Sequence, residues 1–322
     1  MGSTVAGRAL GAQTVTSPYL DTARLLVRIA PAIFYDDTFA LKGGTAINLF
    51  VRDMPRLSVD LDLAYRDHQL DRKAAMERIA TSLQTSASRL RKLGYSIHSP
   101  TTSDGHETKL FIQRDGLRVK VEANYVTRGT VAPVQELALR PRASELLLAE
   151  LRLPIVSQED LYGGKLVAAL DRQHPRDLFD VMELLEHEGI TPATQQAFVI
   201  YLASHDRPIH EVLFPPLKDI GYDFTHGFQG MTEREVTLDE LVSARVRMID
   251  TLHTQLSDNE RDFLFSLVRN EPQWDLLDVP HVKELPAIKW KLQNLAALQR
   301  DNPAKFAEQY QVLSERFKAI QR

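Results

Sequence analysis

The chain has 322 residues, of which 43% are apolar and 25% charged, as in an ordinary folded protein, and it is long enough for two domains. It contains no cysteine, which excludes disulfides, cysteine-ligated metals and thiol catalysis. The net charge of −4 is uneven: residues 1–155 carry 21 Lys and Arg against 16 Asp and Glu, so the surplus of acid lies in the rest. A mildly basic front half is compatible with a phosphate-bearing partner.

Neither a membrane segment nor a signal peptide is indicated. No apolar run reaches the roughly 18 residues that a spanning helix needs, so we expect no membrane partner. The first 20 residues lack the apolar centre of a signal peptide and are expected to be flexible. The absence of cysteine is compatible with the cytoplasm, which is the expected location.

The front half mixes helical and strand periods. Helical spacing predicts a helix over 21–33, and a short strand at 38–41 runs into Gly43-Gly44 and a helix over 45–51. Strict alternation predicts a strand over 58–65. A long helix over 71–93 follows, with Gly94 available to end it.

The next predicted unit is a hairpin, after which the pattern becomes helical. Strands at 109–113 and 117–125 are joined by Asp115-Gly116, a strong turn signal. Beyond Pro154 we expect helices over 157–172, 177–188, 233–255, 259–269 and 287–298, and another toward the C-terminus. The predicted organisation is an α/β domain over 1–154 and an α-helical domain over 155–322 that contributes to the active-site cleft.

The segment from 56 to 63 carries the most informative polar residues. On a strand, residues two apart share a face, so Leu61 and Leu63 point into the core while Ser58, Asp60 and Asp62 share the other face. Two carboxylates about 7 Å apart along one strand repel each other unless a cation lies between them. A hard divalent cation such as Mg²⁺ is the natural occupant, with Mn²⁺ as an alternative.

The sequence Lys42-Gly43-Gly44-Thr45 supplies a complement to the aspartates. Glycines let a ligand approach the backbone, and the amides that open the following helix attract an anion. A phosphate-binding turn and a metal-binding pair separated by a few residues indicate a site for a metal-bound nucleoside triphosphate. A plain glycine turn and surface acids on an edge strand are the alternative readings.

Two further segments add candidate side chains. Glu122 lies on the polar face of the second hairpin strand and is the best candidate for a third metal ligand or a general base; the alternative is a cross-strand partner for a Lys or Arg. Lys165 and Arg172 share one face of the helix over 157–172, where Lys165 is expected to offset triphosphate charge. Gly163-Gly164 in that helix predicts close approach of another backbone or a ligand.

These motifs together resemble the AbiEii/AbiGii-type nucleotidyltransferase toxins of bacterial toxin–antitoxin and abortive infection systems. The resemblance rests on the segments 42–46 and 56–63, on Lys165 with Arg176-Asp177-x-x-Asp180, and on the late segment 286–295. It implies an α+β fold in which a polymerase-β-like nucleotidyltransferase domain with a mixed sheet precedes an α-helical domain. It also implies Mg²⁺, nucleoside triphosphates and a cognate antitoxin, with transfer of nucleotides to RNA, for some members the tRNA 3′ end, so that translation is blocked.

The resemblance also implies roles for particular residues. Asp60 and Asp62 are implied metal ligands, Glu122 less securely; Lys165 is an implied triphosphate contact and Asp177 an acid of the catalytic site. The implied nucleotide-binding set is Lys42, Gly43, Gly44, Thr45, Ser58, Lys165 and Arg176. Two alternatives stay open: transfer to a hydroxyl of a protein or small molecule, and a nucleotide-binding module that does not catalyse.

Three further expectations concern single residues. A phosphate on Ser58 is expected to block metal–triphosphate binding, because it adds negative charge beside two carboxylates. The histidines, including His98, His106 and His174, lack zinc-ligand spacing and are interpreted as ordinary surface or core residues. Trp290 is interpreted as helix-packing core.

Overall fold

The computed structural model describes residues 17–100 and 108–320, and a mixed seven-stranded sheet lies at its centre. The strands are β1 (Phe39–Lys42), β2 (Asp60–Tyr65), β3 (Ser96–His98), β4 (Lys109–Arg114), β5 (Leu117–Asn124), β6 (Gln135–Ala138) and β7 (Arg152–Ile155). Their order across the sheet is β3-β4-β5-β2-β1-β7-β6. The pairs β2–β5 and β1–β7 are parallel and the other pairs are antiparallel.

Helices flank the sheet and make up the chain beyond it. They are α1 (Ser17–Ile33), α2 (Gly43–Ala46), α3 (Arg72–Lys92), α4 (Pro141–Leu147), α5 (Gln158–Arg172), α6 (Pro175–Glu186), α7 (Pro192–Ala203), α8 (Ile209–Leu213), α9 (Gly221–Gly227), α10 (Leu238–Gln255), α11 (Asp258–Val268), α12 (Pro286–Asp301) and α13 (Pro303–Ile320). A π-helical turn (Ile47–Val51) continues α2. No described helix is both long enough and apolar enough to cross a bilayer.

One face of the sheet is core and the other is polar. Leu61, Leu63, Val119 and Val121 are fully buried on the face that α1 and α3 cover. Because side chains alternate along a strand, the residues between them project from the opposite face. That alternation confirms the predicted inward direction of Leu61 and Leu63 and leaves a row of charged residues on the other side.

Local signals account for most element boundaries. Asp71 caps α3 by accepting a 2.8 Å hydrogen bond from the amide of Ala74, and Gly94 has a φ of +82° just beyond its end. The Asp115-Gly116 hairpin is confirmed, with both residues at positive φ. Strand β2 begins at Asp60 and not at 58, because the preceding residues pair elsewhere: the amide of Leu57 donates to the carbonyl of Met231 at 2.9 Å.

The predicted α+β organisation, with a mixed sheet followed by helices, is confirmed, with no strand after β7 in the described part of the chain. One hydrophobic cluster runs from α1 to α13, and the division at residue 154 stays a prediction. Residues 17–20, at the end of the segment expected to be flexible, belong to α1, and residues 1–16 lie outside the described residues. The short strands β3, β6 and β7 and the helices α4, α7, α8 and α9 were missed.

Candidate active site

The two aspartates lie on the polar face of β2, at the middle of the sheet. Asp60 and Asp62 are half-buried, and within residues 17–100 and 108–320 neither has an ion-pair partner within 4.0 Å. Burial raises the pKa of the Asp60 carboxyl; Lys120 opposes this rise, while Asp62 and Glu122 add to it. Ionised Asp60 therefore sits in an environment that is short of positive charge.

The glycine turn meets this aspartate pair directly. Strand β1 ends at Lys42, and Gly43 then takes a φ of +75° to open α2. A Cβ atom at Gly43 would lie only 2.5 Å from Oδ2 of Asp62, so this carboxylate packs against the glycine backbone. The Gly-Gly turn and the aspartate pair therefore share one site.

Thr45 and Ser58 tie the turn to β2. The Thr45 hydroxyl lies 2.9 Å from Oγ of Ser58 and 2.5 Å from the carbonyl oxygen of Asp60. Thr45 is buried, so its hydroxyl is committed to protein partners. A phosphate at this turn would therefore meet backbone amides, since the first amides of a helix have no partner within it.

Glu122 is next to Asp62 but is not a free ligand. The two residues are register partners on the parallel strands β2 and β5. The Glu122 carboxylate accepts hydrogen bonds from Lys109 on the neighbouring strand β4 at 2.8 Å and from Lys120 on its own strand at 3.0 Å, and the first of these is the cross-strand pairing that is the alternative to a metal role. Burial would raise its pKa, but the two lysines outweigh burial and lower it, so Glu122 is a weaker base than an ordinary glutamate.

The expected third carboxylate for the metal stays a prediction. Among the described residues, no group of three or more His, Asp or Glu side chains is arranged to hold a metal ion. Asp60 and Asp62 nevertheless fit a hard divalent cation, because both are carboxylates and neither has a cationic group of the described residues within 4.0 Å. Glu122 could join them only by releasing its lysines.

Lys42 lies on the other side of Asp62. It is the register partner of Asp62 across the antiparallel pair β1–β2, and it is half-buried. Burial lowers the pKa of its ammonium group, and the negative charges of Asp62 and Glu122 oppose this. Asp62 is thus flanked in the sheet by a lysine on one side and a glutamate on the other.

Lys165 does not project into the cleft as expected. It is buried, and its ammonium group bonds Asp177 at 2.7 Å and Asp180 at 3.0 Å. Arg172 completes the pairing of Asp177 with hydrogen bonds of 2.5 and 2.9 Å. The shared face of Lys165 and Arg172 is confirmed, but its immediate use is to hold one buried carboxylate.

Asp177 is accordingly held in buried ion pairs, and its role as an acid of the catalytic site stays a prediction. Burial alone would raise the pKa of its carboxyl, but Lys165 and Arg172 outweigh that effect and hold it far below its ordinary value. The group is therefore ionised at any physiological pH. Arg176, one residue away and half-buried, is close enough to Asp60 to lower the pKa of that carboxyl.

Sequence reasoning missed the centre of this buried network. Arg56 makes a two-point contact with Asp180, with Nε···Oδ1 of 2.7 Å and a second bond of 2.6 Å. Asn48 bonds both Asp180 and the carbonyl of Gly44. The guanidinium group of Arg56 also lies 2.6 Å from where a Cβ atom of Gly44 would be. The network therefore packs directly against the glycine turn. In the sequence, the only pattern that indicated the network was the spacing of Asp180 three residues after Asp177.

The glycines of α5 have separate explanations. A Cβ at Gly163 would lie 2.8 Å from backbone atoms of Ala197 and Phe198, so α5 and α7 cross backbone to backbone, as the Gly-Gly pair predicted. Gly164 has only ordinary contact, 3.7 Å, with the ring of Tyr201. Close approach thus accounts for the first glycine and not for the second.

The single-residue interpretations have mixed outcomes. Trp290 is 52% exposed, so its assignment to the core was wrong: it occupies the outward face of α12, while Ile288 faces in. His98 is exposed on the edge strand β3, and His174 caps α6 by accepting a hydrogen bond from the amide of Arg176. His106 lies outside the described residues.

Gly43→Ala provides a test of the contact with Asp62. We expect the nucleotide transfer that the resemblance implies to fall at least about tenfold, because the methyl group displaces a carboxylate from the site. Steady-state transfer rates measure this. The matched control is Gly94→Ala, where φ is also positive but open space surrounds the position. Both variants carry about 1–2 kcal/mol of backbone strain, so equal losses of activity would contradict the role of the contact.

Comparison with known proteins identifies the family and the fold of the chain. The sequence matches the family described as "Nucleotidyl transferase AbiEii toxin, Type IV TA system" over residues 24–294. No curated protein matches the chain. In structure it is similar to MenT4, a nucleotidyltransferase toxin from Mycobacterium tuberculosis, with 20% identity, a TM-score of 0.55 and coverage of 89% of this chain and 99% of that one.

A second similar structure is an H. pylori protein assigned as a nucleotidyltransferase, with 18% identity, a TM-score of 0.45 and coverage of 75% of this chain and 97% of that one. The likeness to MenT4 establishes a nucleotidyltransferase fold. The family match extends over most of the sequence, including both motifs of the site. The chain therefore belongs to the AbiEii nucleotidyltransferase toxins of toxin–antitoxin systems.

Proposed function

We propose that the chain transfers a nucleotide from a Mg²⁺-bound nucleoside triphosphate to the 3′-hydroxyl of an RNA, specifically tRNA, and so blocks translation. The observation that carries the proposal is the packing of the Asp62 carboxylate against Gly43, which joins a predicted cation site to a predicted phosphate site. The reaction would take place in the cytoplasm, where tRNA and a cognate antitoxin are available. The α/β part over 1–154 and the helical part over 155–322 would both border the cleft.

Asp60 and Asp62 would hold the divalent cation, with Glu122 as a third ligand once it leaves its lysines. Bound there, the cation would neutralise phosphate charge and make the α-phosphorus easier to attack. The backbone amides at Gly43, Gly44 and Thr45 would receive phosphate oxygens. Asp60 has no ion-pair partner within 4.0 Å among the described residues, and this supports its assignment as a cation ligand.

Cations of this chain would hold the rest of the triphosphate. Lys42 beside Asp62 and Arg176 beside Asp60 are half-buried and close enough to act on those carboxylates. Lys165 is committed to two aspartates, so its contribution would be to position α6 and, with it, Arg176. Asp177 would act in the same indirect way.

The chemical step is a displacement at the α-phosphorus. The acceptor oxygen forms a bond to that phosphorus, the bond from it to the bridging oxygen of the β-phosphate breaks, and pyrophosphate leaves. The hydroxyl proton passes to water. Catalysis would come mainly from positioning and charge stabilisation by the groups already named.

The test offers the protein each α-labelled nucleoside triphosphate with total RNA, total protein or small-molecule acceptors, in Mg²⁺. We expect the label in RNA of tRNA size, attached at the 3′ end as judged by sequencing of 3′ termini. Label found only in protein or only in small molecules would show that one of these is the acceptor and RNA is not. No label in any fraction would favour a nucleotide-binding module.

Ser58→Asp tests whether added negative charge closes the site. Ser58 lies on the aspartate face, with its Oγ 3.2 Å from where a Cβ of Gly44 would be. A third carboxylate there would repel phosphates, so we expect triphosphate affinity to fall at least about tenfold. Calorimetric titration with ATP and Mg²⁺ measures it. Ser58→Asn, of the same shape without the charge, should bind more tightly than Ser58→Asp; equal affinities would contradict an electrostatic effect.

A further inference from the structure

The polar face that carries the aspartates continues across three more strands to the edge of the sheet. Register places His98 of β3, Phe111 of β4, Lys120 of β5 and Asp60 of β2 in one row. Neighbouring strands lie about 4.8 Å apart, so the row extends roughly 14 Å from Asp60 to the edge. The reverse face of the same strands is apolar and buried, so this open row is accessible only from the side of the aspartates.

The outer part of this face is a stack of flat groups. The guanidinium carbon of Arg118 lies 4.0 Å from the ring centroid of Phe111. The imidazole of His98 lies on another side of the same ring, with centroids 6.1 Å apart and planes inclined by 20°. Phe111 is half-buried between them, whereas Arg118 and His98 are exposed. A guanidinium over the ring and an imidazole nearly parallel to it are thus offered to solvent.

The inner part of this face is a pair of lysines. Lys109 and Lys120 bracket Glu122 with bonds of 2.8 and 3.0 Å, and 43% and 35% of their side chains remain exposed. Lys120 lies on β5, between Phe111 of β4 and Asp60 of β2, and Lys109 reaches from β4 to Glu122 of β5. A polyanion that approached Asp60 along this face would meet positive charge before it met the carboxylates.

We propose that this surface, formed by His98, Lys109, Phe111, Arg118 and Lys120 and here called the sheet platform, binds the single-stranded 3′ end of the acceptor RNA. The inference rests on the proposed function. Bases stack on the exposed planes of Arg118 and His98, as bases stack on guanidinium and aromatic planes in single-strand binding. Backbone phosphates lie on the two lysines, and the terminal hydroxyl reaches the aspartates at the inner end of the row.

Stacking accepts any base, so the sheet platform selects single-stranded ends and not a sequence. A paired helix does not offer unstacked bases to flat groups on an open sheet. The chemistry recognised is therefore an unpaired 3′-terminal segment, whatever the body of the RNA.

The test compares two arginines of the same hairpin. Arg118 lies over Phe111 on the aspartate face, and Arg114 lies over Tyr95, 5.0 Å from the centroid, on the opposite face. Each is changed to Ala, which removes the same charge and the same kind of ring contact. Fluorescence anisotropy then measures the affinity for a short single-stranded oligoribonucleotide with a free 3′-hydroxyl, and titration with ATP and Mg²⁺ measures triphosphate affinity.

We expect Arg118→Ala to weaken oligoribonucleotide binding about tenfold, with Arg114→Ala within about twofold of the unchanged protein. Triphosphate affinity should be the same in all three. Arg118→Lys, which keeps the charge and loses the plane, should recover only part of the loss. In transfer assays the KM for RNA should rise while the KM for the triphosphate stays constant.

The outcomes separate this inference from the proposed function. Equal binding by the two alanine variants overturns the sheet platform, and if RNA is still labelled the proposed function stands. Label in protein with no binding of the oligoribonucleotide overturns both. Equal affinity for single-stranded and fully paired RNA also overturns the platform, since stacking requires unpaired bases.

Discussion

Asp60→Ala should lower nucleotide transfer by about a thousandfold or more, while the protein stays folded. Removing one group that stabilises charge in a transition state commonly costs about a hundredfold to a thousandfold, and here the group is also a predicted cation ligand. Transfer of labelled nucleotide to RNA measures the loss. Growth arrest on expression should disappear with it.

The stability of the same variant is a second readout. Burial raises the pKa of Asp60, which means that folding disfavours its ionised form. Removing the carboxylate should therefore leave the melting temperature at neutral pH unchanged or slightly higher. Glu77→Ala, at an exposed acidic position on α3, should alter neither activity nor stability. Retained transfer in Asp60→Ala would remove Asp60 from the site, and an unfolded variant would contradict its assignment as a ligand that the core does not need.

Asp180→Ala should have the opposite signature, a large loss of stability. Asp180 is buried and pairs with Arg56 and Lys165, which are also buried. Removing one partner of a buried ion pair typically costs about 3–5 kcal/mol, because the remaining charges are left without compensation. We expect a much lower denaturant midpoint. As the urea concentration rises, activity should be lost over the same range as the folded structure and not at lower concentrations. Urea unfolding followed by circular dichroism measures the effect.

The control is an aspartate in a pair that water screens. Asp301 bonds Arg300 at the end of α12, where both side chains are mostly exposed. Asp301→Ala should leave the denaturant midpoint unchanged within error. Equal midpoints for the two variants would show that the Arg56–Asp180–Lys165 network does not stabilise the fold.

The sequence allowed the elements around the site to be predicted because their signals are local. Alternation defined β2, the Asp115-Gly116 turn defined the hairpin, and Gly43-Gly44 marked the turn before α2. The hairpin strand was predicted, but its parallel pairing with β2, which brings Glu122 beside Asp62, follows from the order of the strands in the sheet. Periodicity along one strand carries no information on its neighbours.

The buried network could not be predicted by the same reasoning. Arg56 and Asp180 are 124 residues apart, and no local pattern indicates that a loop before β2 meets α6. Lys165 was expected to offset triphosphate charge, and its two aspartate partners are what make its burial tolerable. Trp290 was assigned to the core from its apolar neighbours, but α12 turns it outward.

The crossing of α5 and α7 at Gly163 has a consequence for how this protein can vary. The crossing sets the distance between α5 and α7, and α5 carries Lys165 two residues after Gly163. A larger residue at 163 would displace α5 away from α7 and move the Lys165 ammonium group away from Asp177 and Asp180. Evolutionary substitution at position 163 is therefore limited by the ion pairs of Lys165, although the glycine is not itself a residue of the proposed site.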